Sequence, residues 1–146
     1  MIFSVFWYNV GSSLQRAAEG TGAGFVLDRI AIGKKGEKEA ARALKKSGYR
    51  IIETNYRCRY GEIDIIAEHM GAIVFVEVKT RGSDRFGSPK EGVDYRKQRH
   101  ITLASSAYLA ELGLDDREVR FDVVSVELVD GGFLTEIVRD AFEAAE

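Results

Sequence analysis

The stretch GEIDIIAEHMGAIVFVEVKTR, residues 61–81, consists of two runs of sheet-forming residues around a turn, and Asp64, Glu77 and Lys79 stand in the middle of those runs. Upstream, KGEKEAARALKKS, residues 35–47, is rich in good helix formers and is stopped by Gly48, so a first helix is expected there. YRIIETNYRCR then reads as a strand, which makes the quoted hairpin the second and third strands. GSDRFGSPKEG is a loop with the only proline, and Ser88, Pro89 and Glu91 have the spacing of a capping box opening a short helical turn. A longer helix is expected from about Tyr95 to Leu112, ending before Gly113. REVRFDVVSVELV and FLTEIV, separated by the turn DGG at 130–132, close the pattern as two more strands. The order predicts an α/β fold, a central mixed β-sheet flanked by α-helices, in a single domain over residues 31–146. Residues 1–30 contain the Gly- and Ser-rich GSSLQRAAEGTGAG and read as an N-terminal arm or extension. GTGAG is not a phosphate loop, because no clear strand precedes it and no Gly-Lys-Ser/Thr follows.

The alternation of side chains gives the hairpin charges a geometry. Ile73, Phe75, Glu77 and Lys79 share one face of their strand and Val74, Val76 and Val78 the other; on the preceding strand Glu62, Asp64 and Ile66 lie opposite Ile63, Ile65 and Ala67. A two-residue turn at Met70 and Gly71 would set Asp64 across from Glu77 and Glu62 across from Lys79. Two carboxylates about 5 Å apart repel unless a cation lies between them. Mg²⁺ suits such a place, since it takes one or two carboxylates together with waters and a substrate phosphate. Lys79 would then polarise a water and offset charge growing on the phosphate. A surface hairpin whose charges pair in solvent is the bland alternative, but three charges among apolar neighbours, followed by the basic TRGSDR, favour a site. On the first helix Glu37, Ala41 and Leu44 follow the i, i+4, i+7 spacing, placing an acid on the apolar stripe, although the helix dipole also favours a first-turn Glu. On the second, Lys97 shares the stripe of Ile101, Ala104 and Tyr108, from which it reaches a phosphate or snorkels to water.

Composition changes the picture once charge is divided along the chain. The net charge of −2 over 146 residues conceals a basic front and an acidic tail. Residues 34–60 carry nine Lys/Arg against three Glu, residues 79–100 seven against three acids, and residues 109–146 three Arg against eleven acids. Such a division allows a polyanion-facing surface without a basic isoelectric point. No apolar run approaches the roughly 20 residues needed to cross a bilayer, and the apolar start lacks the basic flank of a secretory signal. A single cysteine, Cys58, is compatible with a reducing cytoplasm, so a cytoplasmic protein is expected. Cys58 lies between Arg57 and Arg59, yet neither His69 nor His100 has an evident link to it, and the three do not have a zinc-ligand spacing. Ser105 and Ser106 fall in a helix without a nucleophile elbow.

Asp64 followed by Glu77, Val78 and Lys79 resembles the D…(D/E)-x-K signature of the PD-(D/E)xK nuclease superfamily, which includes restriction endonucleases and Holliday junction resolvases. GEKEAARALKKSGYRIIETNYRCRYGEIDIIAE, VFVEVKTR, FGSP, RKQRHI and RFDVVSV together resemble the bacterial YraN family, also called UPF0102, small proteins predicted to be endonucleases. The likeness covers about residues 33–142. It implies a restriction-endonuclease-like core, with Asp64 and Glu77 as metal ligands, Glu37 as an additional acid of the metal shell, the Val78 carbonyl completing the site, and Lys79 near the attacking water. The implied function is a Mg²⁺- or Mn²⁺-dependent endodeoxyribonuclease hydrolysing phosphodiester bonds in DNA, with branched or structured DNA suggested by the superfamily. Arg57, Arg81, Arg85, Lys97 and Arg99 are candidate phosphate contacts. RNA is a second candidate substrate, because basic segments do not distinguish the sugar. A homodimer would suit the cutting of paired strands. The rival reading is a non-catalytic nucleic-acid-binding or assembly module on the same fold, against which the joint presence of Glu37, Asp64, Glu77 and Lys79 argues.

Overall fold

The computed structural model describes residues 4–9, 22–81 and 93–146. The chain runs β1 (Ser4–Asn9), α1 (Gly22–Lys46), β2 (Arg50–Cys58), β3 (Gly61–His69), β4 (Ala72–Arg81), α2 (Tyr95–Leu112), β5 (Val119–Val129) and β6 (Gly132–Val138). The six strands form one sheet in the order β1-β6-β5-β4-β3-β2. Among the described strands only the β4–β5 pair is parallel, and α2 lies in the crossover between them, as a parallel pair requires. The expected α/β class, with a mixed sheet between helices, is what forms, and it is consistent with a restriction-endonuclease-like core.

The N-terminal end adds a strand to the sheet and moves the start of the first helix. Residues 4–9, read as part of an arm, pair antiparallel with β6 from Ser4↔Ile137 to Asn9↔Gly132. SVFWYN is rich in sheet-favouring aromatic residues, and the outer edge of β6 offers it a ladder that no local pattern reveals. The first helix begins at Gly22 rather than near Lys35. Its glycines read as breakers in sequence, but Gly36 is there for packing: a Cβ at this position would lie 2.0 Å from Thr80 Oγ1 and 2.9 Å from its Cγ2. A helix therefore passes close over the end of β4 only because position 36 has no side chain. The capping box at Ser88, Pro89 and Glu91 lies outside the described residues.

Each remaining boundary has a local cause. Gly48, at φ 88°, ends α1 with the paired bonds Tyr49 N to Leu44 O (3.0 Å) and Gly48 N to Lys45 O (3.1 Å), and Gly113 closes α2 in the same way. The Asp94 side chain caps α2 by accepting from Lys97 N at 2.8 Å. Met70 and Gly71, both at positive φ, form the expected two-residue turn, and the register from His69↔Ala72 to Ile65↔Val76 is the expected one. One core lies between the sheet and α1, built on Leu44, Ile65, Val74, Val76, Val124 and Val126. The other lies under α2, built on Ile63, Ile66, Phe75, Ile101, Tyr108 and Phe121.

Candidate functional site

The expected alternation fails at one place on β3, and that place is Asp64. Ile65 and Ala67 enter the α1-side core as expected, but Ile63 joins Ile66 in the core beneath α2. The ladder to β4 stops at Ile65↔Val76, and the pairs with β2 pass from Thr54↔Ile65 to Tyr56↔Ile63 without an Asn55–Asp64 pair. Asn55 takes up a left-handed conformation at φ 56°. Regular pairing is thus interrupted on both sides of Asp64. Beyond the end of the ladder, its Oδ2 accepts the Val78 N–H at 2.7 Å, so a side chain takes the place of a strand carbonyl.

Glu77 lies on the α2 side of β4 and is only 5% exposed. Lys79 Nζ stands 3.4 Å from its Oε1 and Lys97 Nζ 3.3 Å from its Oε2. The Lys97 contact is an ion pair without hydrogen-bond alignment, and buried Oε2 has no hydrogen-bond partner among the described residues. Lys79 therefore pairs with Glu77, whereas Glu62, expected across from it, is bound to Arg57 at 3.2 Å. Burial and the neighbouring Glu77 charge push Asp64 up to about 6, against the opposing pull of the Val78 N–H and the Lys97 ammonium. A partly buried acid thus faces a buried one, and both have carboxylate oxygens to offer.

This arrangement suits a hard divalent cation. The orphaned Glu77 Oε2 and the second oxygen of Asp64 are two carboxylate donors, and Mg²⁺ needs no more than one or two from a protein. Among the described residues no three His, Cys, Asp or Glu side chains come together as a complete metal cage. Glu37 has no hydrogen bond or ion pair among the described residues and sits on α1, on the other side of the sheet from α2. The buried stripe of α1 is Gly36, Ala40, Ala43 and Leu44, so Glu37 borders it instead of occupying it. The helix lies close on β4 through Gly36, which turns the stripe by one position relative to the i, i+4, i+7 expectation.

The candidate phosphate contacts are spread out. Lys97 is drawn to Glu77, Arg57 is exposed and paired with Glu62, Arg99 is exposed on α2, and Arg81 is half-buried at the end of β4. Arg85 lies outside the described residues.

One polar group of the core escaped the sequence reading. Asp122, fully buried on β5, accepts from the Tyr49 hydroxyl (2.7 Å), from Arg120 Nε and Nη2 (2.8 and 2.9 Å) and from Asp140 N (2.9 Å). The Tyr49 ring stacks on His69 at 3.9 Å, and Arg120 donates to His69 Nδ1 at 3.1 Å. Because arginine can only donate, the His69 proton resides on Nε2. Burial, and then Asp122, push the Tyr49 hydroxyl up to about 12. Arg120, two residues before Asp122 on the same face of a strand, is the signal that could have revealed the pair.

Comparison with known proteins places these residues in a family. Residues 36–126 match the model of the uncharacterised protein family UPF0102. The chain belongs to UPF0102. A UPF0102 protein of Syntrophus aciditrophicus (strain SB) is 52% identical over 120 residues, 82% of this chain and 94% of the relative. One of Alkaliphilus oremlandii (strain OhILAs) is 49% identical over 113 residues, 76% of this chain and 97% of the relative. The UPF0102 match contains Asp64, Glu77, Lys79 and Lys97, and β1 and β6 lie outside it. Among the described residues no helix is long and apolar enough to cross a membrane.

Proposed function

We propose that this UPF0102 protein is a Mg²⁺- or Mn²⁺-dependent endonuclease that hydrolyses phosphodiester bonds in DNA, with branched or structured DNA as its preferred form. The observation that carries this reading is the Asp64–Glu77 pair: two acids held together at the end of a ladder, one with an orphaned buried oxygen, and a lysine ammonium beside them. A purely structural carboxylate pair would be costly to keep, since each buried charge needs compensation. Asp64 and Glu77 would hold the cation, which when bound supplies Lewis-acid polarisation of water and of a phosphate oxygen. Val78 fixes the Asp64 carboxylate through its N–H to Oδ2 and leaves the other oxygen without that bond. Lys79, about a third exposed, presents an ammonium beside Glu77, where it can orient a water and offset charge on a phosphate. Arg57 and Arg99, exposed on β2 and α2, would be phosphate contacts that set salt dependence more than sequence choice.

The test is cleavage of end-labelled linear, single-stranded and four-way-junction DNA with Mg²⁺ or Mn²⁺, comparing wild type with Asp64→Ala and Glu77→Ala. Metal-dependent cutting that both substitutions abolish is the expected result, and the panel of DNAs names the preference. DNA binding without cutting by the folded wild type would favour the non-catalytic binding module, and cutting of RNA alone would reassign the substrate.

A further inference from the structure

Glu77 is served by two lysines from different elements, and they reach it differently. Lys79 is two residues along the same strand and approaches Oε1. Lys97 comes from the first turn of α2 and approaches Oε2, the buried oxygen that lacks a hydrogen bond. The backbone of Lys97 is pinned, since its N–H is held by Asp94 Oδ1 at 2.8 Å and the neighbouring Gln98 Nε2 is bonded to Val93 O at 2.9 Å. Its ammonium is not pinned: the side chain is 32% exposed, on a flexible four-carbon stem. A strongly hydrated cation is thus drawn to an oxygen that it does not properly bond, at the mouth of an acid pair.

Resting on the metal-dependent reading above, we infer that Lys97 is a built-in counter-ion that occupies the cation seat at Glu77 Oε2 in the metal-free protein and leaves it when a divalent cation binds. The ammonium keeps the facing acids Asp64 and Glu77, with Glu62 nearby, tolerable in the absence of metal. It is released where its charge is next useful, beside a phosphate bound next to Glu77. The exchange couples metal binding to the supply of a free lysine, so Lys97 is a positioning residue in one state and a phosphate contact in the other. A seat taken about nine-tenths of the time by the internal ammonium lowers apparent metal affinity about tenfold.

Two measurements on the full chain test this. The first is Mn²⁺ affinity, read from the electron paramagnetic resonance of free Mn²⁺, for wild type and Lys97→Met, which keeps the apolar stem and loses the charge. The second is the rate of amine labelling at Lys97 in wild type, read by mass spectrometry with and without Mg²⁺. The expected results are Mn²⁺ binding tightened about tenfold in Lys97→Met, and faster labelling of Lys97 when Mg²⁺ is added. Unchanged or weaker Mn²⁺ binding in the variant overturns the inference while leaving the metal reading intact. Tighter binding with Lys97 labelling unchanged by Mg²⁺ also overturns it, because loss of a nearby positive charge would then act through its field alone. Absence of Mn²⁺ binding in both folded proteins removes the metal reading and this inference with it.

Discussion

Asp122 and Glu77 are buried acids one step apart on neighbouring strands, for Asp122 pairs with Val76 and Glu77 with Val123, and alternation sends them to opposite faces of the sheet. Asp122 is surrounded by donors: a tyrosine hydroxyl, two arginine N–H groups and a backbone N–H account for both of its oxygens. Glu77 has two ammoniums at ion-pair distance, the Asp64 charge near it, and one oxygen without a hydrogen bond. The first arrangement is closed and holds the C-terminal end of α1 to β5 through Tyr49. The second leaves a buried oxygen whose hydrogen-bonding capacity is unused. Burial of a carboxylate is common to both, so satisfaction of its oxygens, rather than burial, distinguishes a lock from a site.

The sharpest way to break this comparison is to remove the satisfied acid. Asp122→Ala strands Arg120 and the Tyr49 hydroxyl, and should cost about 3–5 kcal/mol in denaturant unfolding, as for other broken buried pairs. If the loss is under about 1 kcal/mol, the network is not a lock. The α1 face has a second anchor where Gly36 meets Thr80. Gly36→Ala should cost about 1–3 kcal/mol by overpacking, and Thr80→Ala in the same chain should recover part of it.

Substitution in the candidate site should act in the opposite direction. Asp64 is held up to about 6, so between that value and its ordinary one the folded state binds more protons than the unfolded state, and stability falls as pH rises through this window. Asp64→Asn keeps an oxygen for the Val78 N–H and removes the charge. In chelator at pH 8 it should stabilise the fold by about 1–2 kcal/mol, with the gain vanishing below about pH 4. Excess Mg²⁺ should reverse the order by stabilising wild type alone, which thermal unfolding in both buffers would read.

The smallest effect concerns His69, whose pKa is lowered by burial and by the nearby Arg139 and Arg120. Here the unfolded state binds more protons, so its contribution is present above the unfolded pKa of about 6.5 and is lost as pH falls through it. His69→Phe, which preserves the stack on Tyr49, should flatten this part of the pH–stability curve. An unchanged slope between pH 7 and 5 would remove His69 from the network as a titrating member.

Local signals determined much of this molecule. Gly48 and Gly113 end helices, Met70 and Gly71 form the hairpin turn, and that two-residue turn sets the register of the hairpin as far as Ile65↔Val76. These are legible because a cap or a tight turn depends on a few consecutive residues. The class of fold follows from their order, and the candidate site follows from charges placed where a sheet should be apolar. Contacts between distant segments were not legible. The pairing of β1 with β6, the passage of Gly36 over Thr80, the break in alternation at Asp64 and the partners of Asp122 each depend on what the other side of the contact supplies. Sequence nominated Lys97 from its place on an apolar stripe, but only the packing of α2 against β4 brought its ammonium to Glu77 Oε2. Residue type and spacing determine what a chain can offer at a position; whether a buried charge is satisfied there is decided by groups far away in sequence, which only the tertiary fold brings within hydrogen-bond reach.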